Sequence, residues 1–535
     1  MTALTGTRGL ARLILRRDRV LLPLWIVFLG IIPVSYVASI NELFPTAALR
    51  AGYASASARN AGFVVLYGPL DGSSIGELVA WRAGFVPVVI GLISILTVIR
   101  HTRTEEETGR RELLGSTVVG RHAGLAAALI VTFCADLLLG VVLAGGMIGQ
   151  GLPAGGSWAF GLEFALIGWV FAAVGAVAAQ LSGGAGGARG IAIGVLGAAY
   201  LLRVVGDVSG LSSGPVSWLS WLSPIGWVHR IRPYGDEQAW PAVLAVALTA
   251  VLAAAAVALS ARRDLGAGVL PPRLGPADGA PALRSPLALA WRLHRSLLAA
   301  WVATFVALGA VLGYLADGVG DIVDASPEMK QVLGRMGGAN GLIDSYLAGI
   351  VGLLGMVAGG YAVQAALRMR AEESAGRAEP VLSTAVSRVR WAGSHIVFSL
   401  LGPAAALVAG GLAMGLAHGL NTGDAGRQVP RVLAGALVQL PAVWVLAAVT
   451  IALAGALPRL AAAGWGALAI CLLAGLVGTA VGLDQRLLDV SPFTHLPHVP
   501  GSPVSAVPLL WLTAVAVALG VAGLAALRRR DVPVV

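Results

Sequence analysis

Few side chains in this sequence could do covalent chemistry, and their spacing removes most of the options. Lys330 is the only lysine, and it stands in SPEMKQ rather than at the end of a glycine-rich turn. A P-loop needs that lysine to hold phosphates, so the chain is not expected to hydrolyse ATP by itself. There is no H-E-x-x-H, no C-x-x-C, and no G-x-S-x-G set as a strand-to-helix elbow. His495 and His498 are three apart, but Pro497 lies between them and no third ligand is evident, so no metal is expected. Cys134 and Cys471 both lie in apolar runs, which argues against a structural disulfide. These patterns give no catalytic residue and no cofactor of the chain's own.

The charges that stand out are those set among apolar residues. Asp136 lies near the middle of one apolar run, Glu163 near the end of the next, and Arg203 and Asp207 near the end of the one after. A charge at the centre of a membrane helix costs at least ~2.5–3.5 kcal/mol, so each needs a partner or a neutral form. The spacing of four lets Arg203 and Asp207 pair on one helix face, with Glu163 as a candidate third member. Asp136 has no local partner; it either faces a polar cavity or sits protonated in the packing.

The elements that must carry these groups follow from composition. The 535 residues are 57% apolar and 12% charged, with a mean hydropathy of +0.82. Soluble domains carry roughly twice that charge, and too little polar surface is left to cover a water-facing fold. The same numbers exclude disorder. An all-α polytopic membrane protein remains. Twelve apolar runs are long enough to cross a bilayer, at roughly 20–39, 84–100, 123–147, 158–181, 191–208, 240–260, 297–316, 346–367, 394–418, 431–457, 461–483 and 508–527. Residues 1–19 are polar and lack a small-residue cleavage site, so no cleaved leader is expected. Residues 8–21, with Arg8, Arg12, Arg16 and Arg19 opposite Leu10, Leu13, Ile14 and Leu21, read either as an amphipathic surface helix or as a plain positive-inside anchor.

The net charge of +10 comes from arginine beside the apolar runs, which sets topology rather than recognising nucleic acid. With the N-terminus inside, the inner segments hold 26 basic residues and the outer segments 10, which predicts both termini in the cytoplasm. Segments 209–239 and 484–507 read as outer interfacial or re-entrant hairpins, and 40–83 and 317–345 as polar outer loops.

The chain repeats. RTEEETGRRELLGSTVVGR (103–121) and RAEESAGRAEPVLSTAVSR (370–388) match at ten of nineteen positions, at an offset of 267. Arg262-Arg263-Asp264 recurs as Arg529-Arg530-Asp531 at the same offset. This predicts a tandem duplication of two parallel six-helix repeats, residues 1–260 and 287–535. The Pro- and Gly-rich stretch 261–286 would be a cytoplasmic linker. In the first charged segment, Thr104 and Glu107 fit a capping box. Glu106 with Arg110, and Glu373 with Arg377, fit i,i+4 pairs, beside Glu105 and Glu372. Pro380 stands where the first copy has Leu113 and should shorten the second helix. A charged helix presented twice to the cytoplasm looks like a docking surface for a two-fold partner.

Five stretches in order, RTEEETGRRELL (103–114), SPIGWVHRIRPYGDE (223–237), ARRDLGAGVLPPRLGPA (261–277), RAEESAGRAEPVLSTAVSRVRW (370–391) and SPFTHLPHVPG (491–501), carry a resemblance. The chain resembles the ABC-2-type permeases, and most closely the fused twelve-span actinobacterial permeases of polyketide-antibiotic, tetronasin-type exporters. That resemblance implies a permease subunit in the cell membrane that moves a lipophilic, antibiotic- or drug-like compound outward. Two copies of a separate ATP-binding-cassette ATPase would bind the ATP and Mg. It also implies connecting helices at 8–19 and 286–296, coupling helices at 103–121 and 370–388, and re-entrant outer helices at 209–237 and 484–507. Glu105, Glu106, Arg110, Glu372, Glu373 and Arg377 would then face the ATPase. A proton-coupled secondary multidrug transporter is the alternative, but its spans would offer only Asp136 and Glu163 as lone acidic carriers. A membrane glycosyltransferase would need an acidic pair after the first span, and Asn41-Glu42 is not one.

Overall fold

The computed structural model describes residues 2–211, 213–264, 266–270, 278–324, 338–475 and 484–530. Among them there are helices and turns and no strand. Eleven helices are long and apolar enough to cross a membrane, so the chain is an all-α polytopic membrane protein. The span expected over 461–483 runs into residues outside the described ones, and its described part, Ala463–Leu473, is a shorter apolar helix. The chain divides into two compact units, Met1–Gly275 and Pro276–Val535. The linker expected over 261–286 lies partly outside the described residues.

In the first unit, α1 (Thr7–Arg17) precedes α2 (Leu21–Leu43). The stretch 40–83 is not a polar loop. It forms α3 (Ala47–Ala58), α4 (Ala61–Tyr67) and α5 (Ile75–Arg82). The reason is local: Thr46 and Asn60 cap α3 and α4, and Ser74 with Glu77 forms a capping box on α5. Then come α6 (Val86–His101), α7 (Arg103–Glu107), α8 (Arg110–Gly115), α9 (Ala123–Gly149), α10 (Ala154–Leu181), α11 (Ala185–Leu211), α12 (Pro224–His229) and α13 (Trp240–Ala261). Helix α10 is the most enclosed and packs against α6, α9 and α13.

In the second unit, α14 (Pro286–Asp324) packs along α17 (Arg388–Thr422). Between them come α15 (Gly338–Ser374) and α16 (Glu379–Leu382). They are followed by α18 (Ala425–Val438), α19 (Leu440–Ala456), α20 (Ala463–Leu473), α21 (Gln485–Leu488) and α22 (Ala506–Arg529). The expected loop 317–345 lies partly outside the described residues; α14 and α15 occupy its two ends.

Membrane helices gain nothing from excluding lipid, so they associate where small residues let backbones approach. Gly140 on α9 and Gly161 on α10 do this: a Cβ added to Gly140 would lie 2.4 Å from the Gly161 carbonyl oxygen. Gly145, one turn on, has open space. Gly140→Val is expected to cost about 1–3 kcal/mol through overpacking, while Gly145→Val stays within about 0.5 kcal/mol. Thermal melting of the two purified variants checks this; equal melting temperatures would contradict the close α9–α10 approach.

Candidate functional site

The repeated charged segments are bent rather than continuous helices. Gly109 and Gly376 both have φ near +70°, a left-handed conformation that glycine adopts without strain. They break the segments into α7 and α8 in the first unit, and into the end of α15 and the four-residue α16 in the second. The break removes the i,i+4 geometry, so the expected Glu106–Arg110 and Glu373–Arg377 pairs do not form. Arg110 instead lies 3.6 Å from Glu105, and Arg377 donates to Glu372 at 2.8 Å. The Thr104–Glu107 capping box does not form either. Glu107 accepts from the Ala185 amide and caps the start of α11.

Glu106 and Glu373 turn inward. Glu106 accepts two bonds from Arg263, both at 2.8 Å, one from Arg103 at 2.7 Å and one from Arg111 at 3.0 Å. Glu373 accepts two from Arg530, at 2.8 and 2.6 Å, and one from Arg370 at 3.1 Å. The carboxylate side chains are 2% and 0% exposed. A third repeated position closes each cluster: Arg121 donates to the Arg263 carbonyl, and Arg388 to the Arg530 carbonyl. Thus an arginine just beyond α13 grips the bend after α6 in the first unit, and one just beyond α22 grips the bend at the end of α15 in the second. Reading the sequence alone missed Arg263, Arg530, Arg121 and Arg388 as partners, although all four share the 267-residue offset of the glutamates.

The first unit adds ties to α1. Asp18, at the end of α1, meets His101 at 2.5 Å and Arg100 at 3.1 Å, and Arg17 pairs with Glu105. Beside these contacts a cavity of about 510 Å³ is lined by Leu10, Ile14, Arg17, Glu105, Arg121 and Arg263, among others. The second unit has a different arrangement: Glu372 is held by Arg368 at 2.9 Å and by Arg377, and buried His294 meets His395 at 3.1 Å.

The intramembrane groups are placed as follows. Arg203 is buried, 3.8 Å from Asp207, and donates to the Val64 carbonyl at 2.8 Å, with its guanidinium over the Tyr200 ring. Glu163 faces His229 rather than this pair, at 3.8 Å. Asp136, fully buried, accepts from Ser94 at 2.9 Å. Among the described residues no group of three His, Cys, Asp or Glu is disposed to hold a metal.

Comparison with known proteins now becomes informative. The family described as "Multidrug efflux system permease Rv1217c, C-terminal domain" matches residues 9–259 and 283–528. The chain is 44% identical to the multidrug efflux system permease protein Rv1217c of Mycobacterium tuberculosis over 529 residues, which cover 99% of this chain and 95% of that protein. The chain belongs to the multidrug efflux permease family. The bent charged segments and their buried glutamates are therefore features of a membrane permease.

Breaking a buried ion pair by removing one partner costs about 3–5 kcal/mol. Arg263→Gln is expected to lower the melting temperature clearly, and adding Glu106→Gln should recover part of the loss. Arg110→Ala, whose side chain is more than half exposed, should change stability by at most about 1 kcal/mol. Additive losses in the Glu106–Arg263 double-mutant cycle would contradict the pairing.

Proposed function

We propose that this permease is the membrane subunit of an ATP-binding-cassette exporter of the ABC-2, polyketide-antibiotic type, moving a lipophilic drug-like compound out of the cell. Its twelve spans form two parallel six-helix repeats joined by a cytoplasmic linker, with both termini cytoplasmic in the plasma membrane. ATP and Mg are bound by two copies of a separate ATPase subunit, one at each bent charged segment. The observation that carries the reading is the duplicated clamp. In both units a buried glutamate and an arginine just beyond α13 or α22 pin a polar bend, after α6 in the first and at the end of α15 in the second. A bend fixed this firmly transmits a push on its outer face to two membrane helices at once.

Burial divides the candidate coupling residues into two groups on this reading. Glu106, Glu372 and Glu373 are buried, so they act as positioning residues. Arg110 and Arg377 carry more than half of their side-chain surface exposed, and Glu105 is partly exposed beside Arg17. A partner surface reads these three. The second segment offers a shorter helix, four residues against six, with Pro380 accommodated in its first turn. The two docking surfaces are therefore unequal.

The purified chain alone is expected to show no ATPase activity, and membranes with the cognate ATPase to export in an ATP-dependent manner. Arg110→Glu should leave insertion and thermal stability unchanged yet reduce export and ATPase retention by tenfold or more. Arg377→Glu should impair both to a different degree. Export driven by a proton gradient without ATP, or normal transport in both variants, would refute the reading.

A further inference from the structure

At the end of α6 away from the charged bend, the first unit encloses a second cavity of about 300 Å³, within the size range of small-molecule sites. Its walls carry four carboxylates, Asp71, Glu77, Glu163 and Asp236, against one guanidinium, Arg232. Three of the four are accounted for. Arg232 lies 3.0 Å from Asp71 and 3.6 Å from Asp236, and Glu77 accepts from the Ser74 amide in the capping box of α5. Glu163 is not. Its side chain is 5% exposed, and its nearest ionisable neighbour is His229 at 3.8 Å, too far for a hydrogen bond. Burial pushes the His229 pKa down to about 3, with Arg203 adding to the effect, so the imidazole supplies no positive charge.

The same cavity is lined by aromatic rings. Trp81 is held in place by its indole N–H, which donates to the Gly68 carbonyl at 2.9 Å. Tyr67 packs edge-on to it, with ring centroids 5.0 Å apart. A buried carboxylate lacking a cation, lining one cavity with fixed aromatic rings, is an arrangement suited to binding ammonium groups through charge and ring faces together. A metal ion would need more ligands than converge here, since no metal-holding trio exists among the described residues.

We propose that this cavity binds organic ammonium cations bearing an aromatic group, with Glu163 releasing its proton to water as the cation enters and so becoming its counter-ion, and Trp81 and Tyr67 supplying the rings. The proposal rests on the reading of the chain as a drug exporter and names the chemical class of a compound it handles.

The test uses the purified full chain in lipid nanodiscs, without ATPase or ATP, so that its outcome is independent of how transport is energised. The probe is benzyltrimethylammonium, whose charge does not titrate, and the control is the neutral N,N-dimethylbenzamide. Calorimetric titration should show saturable binding of the cation and none of the amide at matched concentrations. Glu163→Gln should weaken the cation by tenfold or more. If that variant fails to fold, the comparison of cation and amide on the unmodified chain decides alone. No saturable binding, equal binding of the two probes, or a loss below tenfold in a folded Glu163→Gln chain would overturn the site. Persistent ATP-dependent export would then leave the exporter reading standing.

Discussion

A carboxylate withdrawn from water must be surrounded by donors or it does not stay charged. In each unit of this permease one glutamate meets that demand with arginines from two parts of the chain. Glu106 is reached by Arg263, 157 positions downstream, and Glu373 by Arg530 at the same separation. Neither guanidinium nor carboxylate can leave without stranding the other. That reciprocal requirement fixes where α13 and α22 end and how the chain turns after α6 and α15. The glycine at the bend, the glutamate that caps α11 and the arginine that grips the closing carbonyl all depend on it.

The two units solve the same problem with different surroundings. In the first, Asp18 and Arg17 fasten α1 to His101, Arg100 and Glu105, so the N-terminal amphipathic helix and the bend are one ionic assembly. In the second, Glu372 turns to Arg368 and Arg377, and a pair of buried imidazoles occupies the base of α14 and α17. The clamp is common to both units while its periphery differs. On the proposed function, one docking surface is tied to the amphipathic helix and the other is held within its own segment.

Much of this was legible in the sequence. The apolar runs located the membrane helices because hydrocarbon leaves few alternatives to a continuous helix. The offset of 267 brought out Glu106, Glu373, Arg263 and Arg530 as repeated residues. Their pairing was hidden, because helical spacing reports neighbours on one helix and says nothing of a residue 157 positions away. The bend was missed for a related reason: Gly109 and Gly376 were visible as matched glycines, but their left-handed backbone is set by the turn that follows. The polar stretch 40–83 hid three short helices whose caps, Thr46, Asn60 and Ser74, were readable only as isolated residues. Asp136 found its partner, Ser94, on another helix, where no periodicity could point to it.

On the proposed function, each clamped bend seats one ATPase subunit. Native mass spectrometry of the complex, released from nanodiscs, counts those subunits directly. The account predicts two per chain for the wild type, one for Arg263→Gln, one for Arg530→Gln and none when both are changed. A wild-type chain that carries no ATPase, or a doubly changed chain that still carries two, would contradict it.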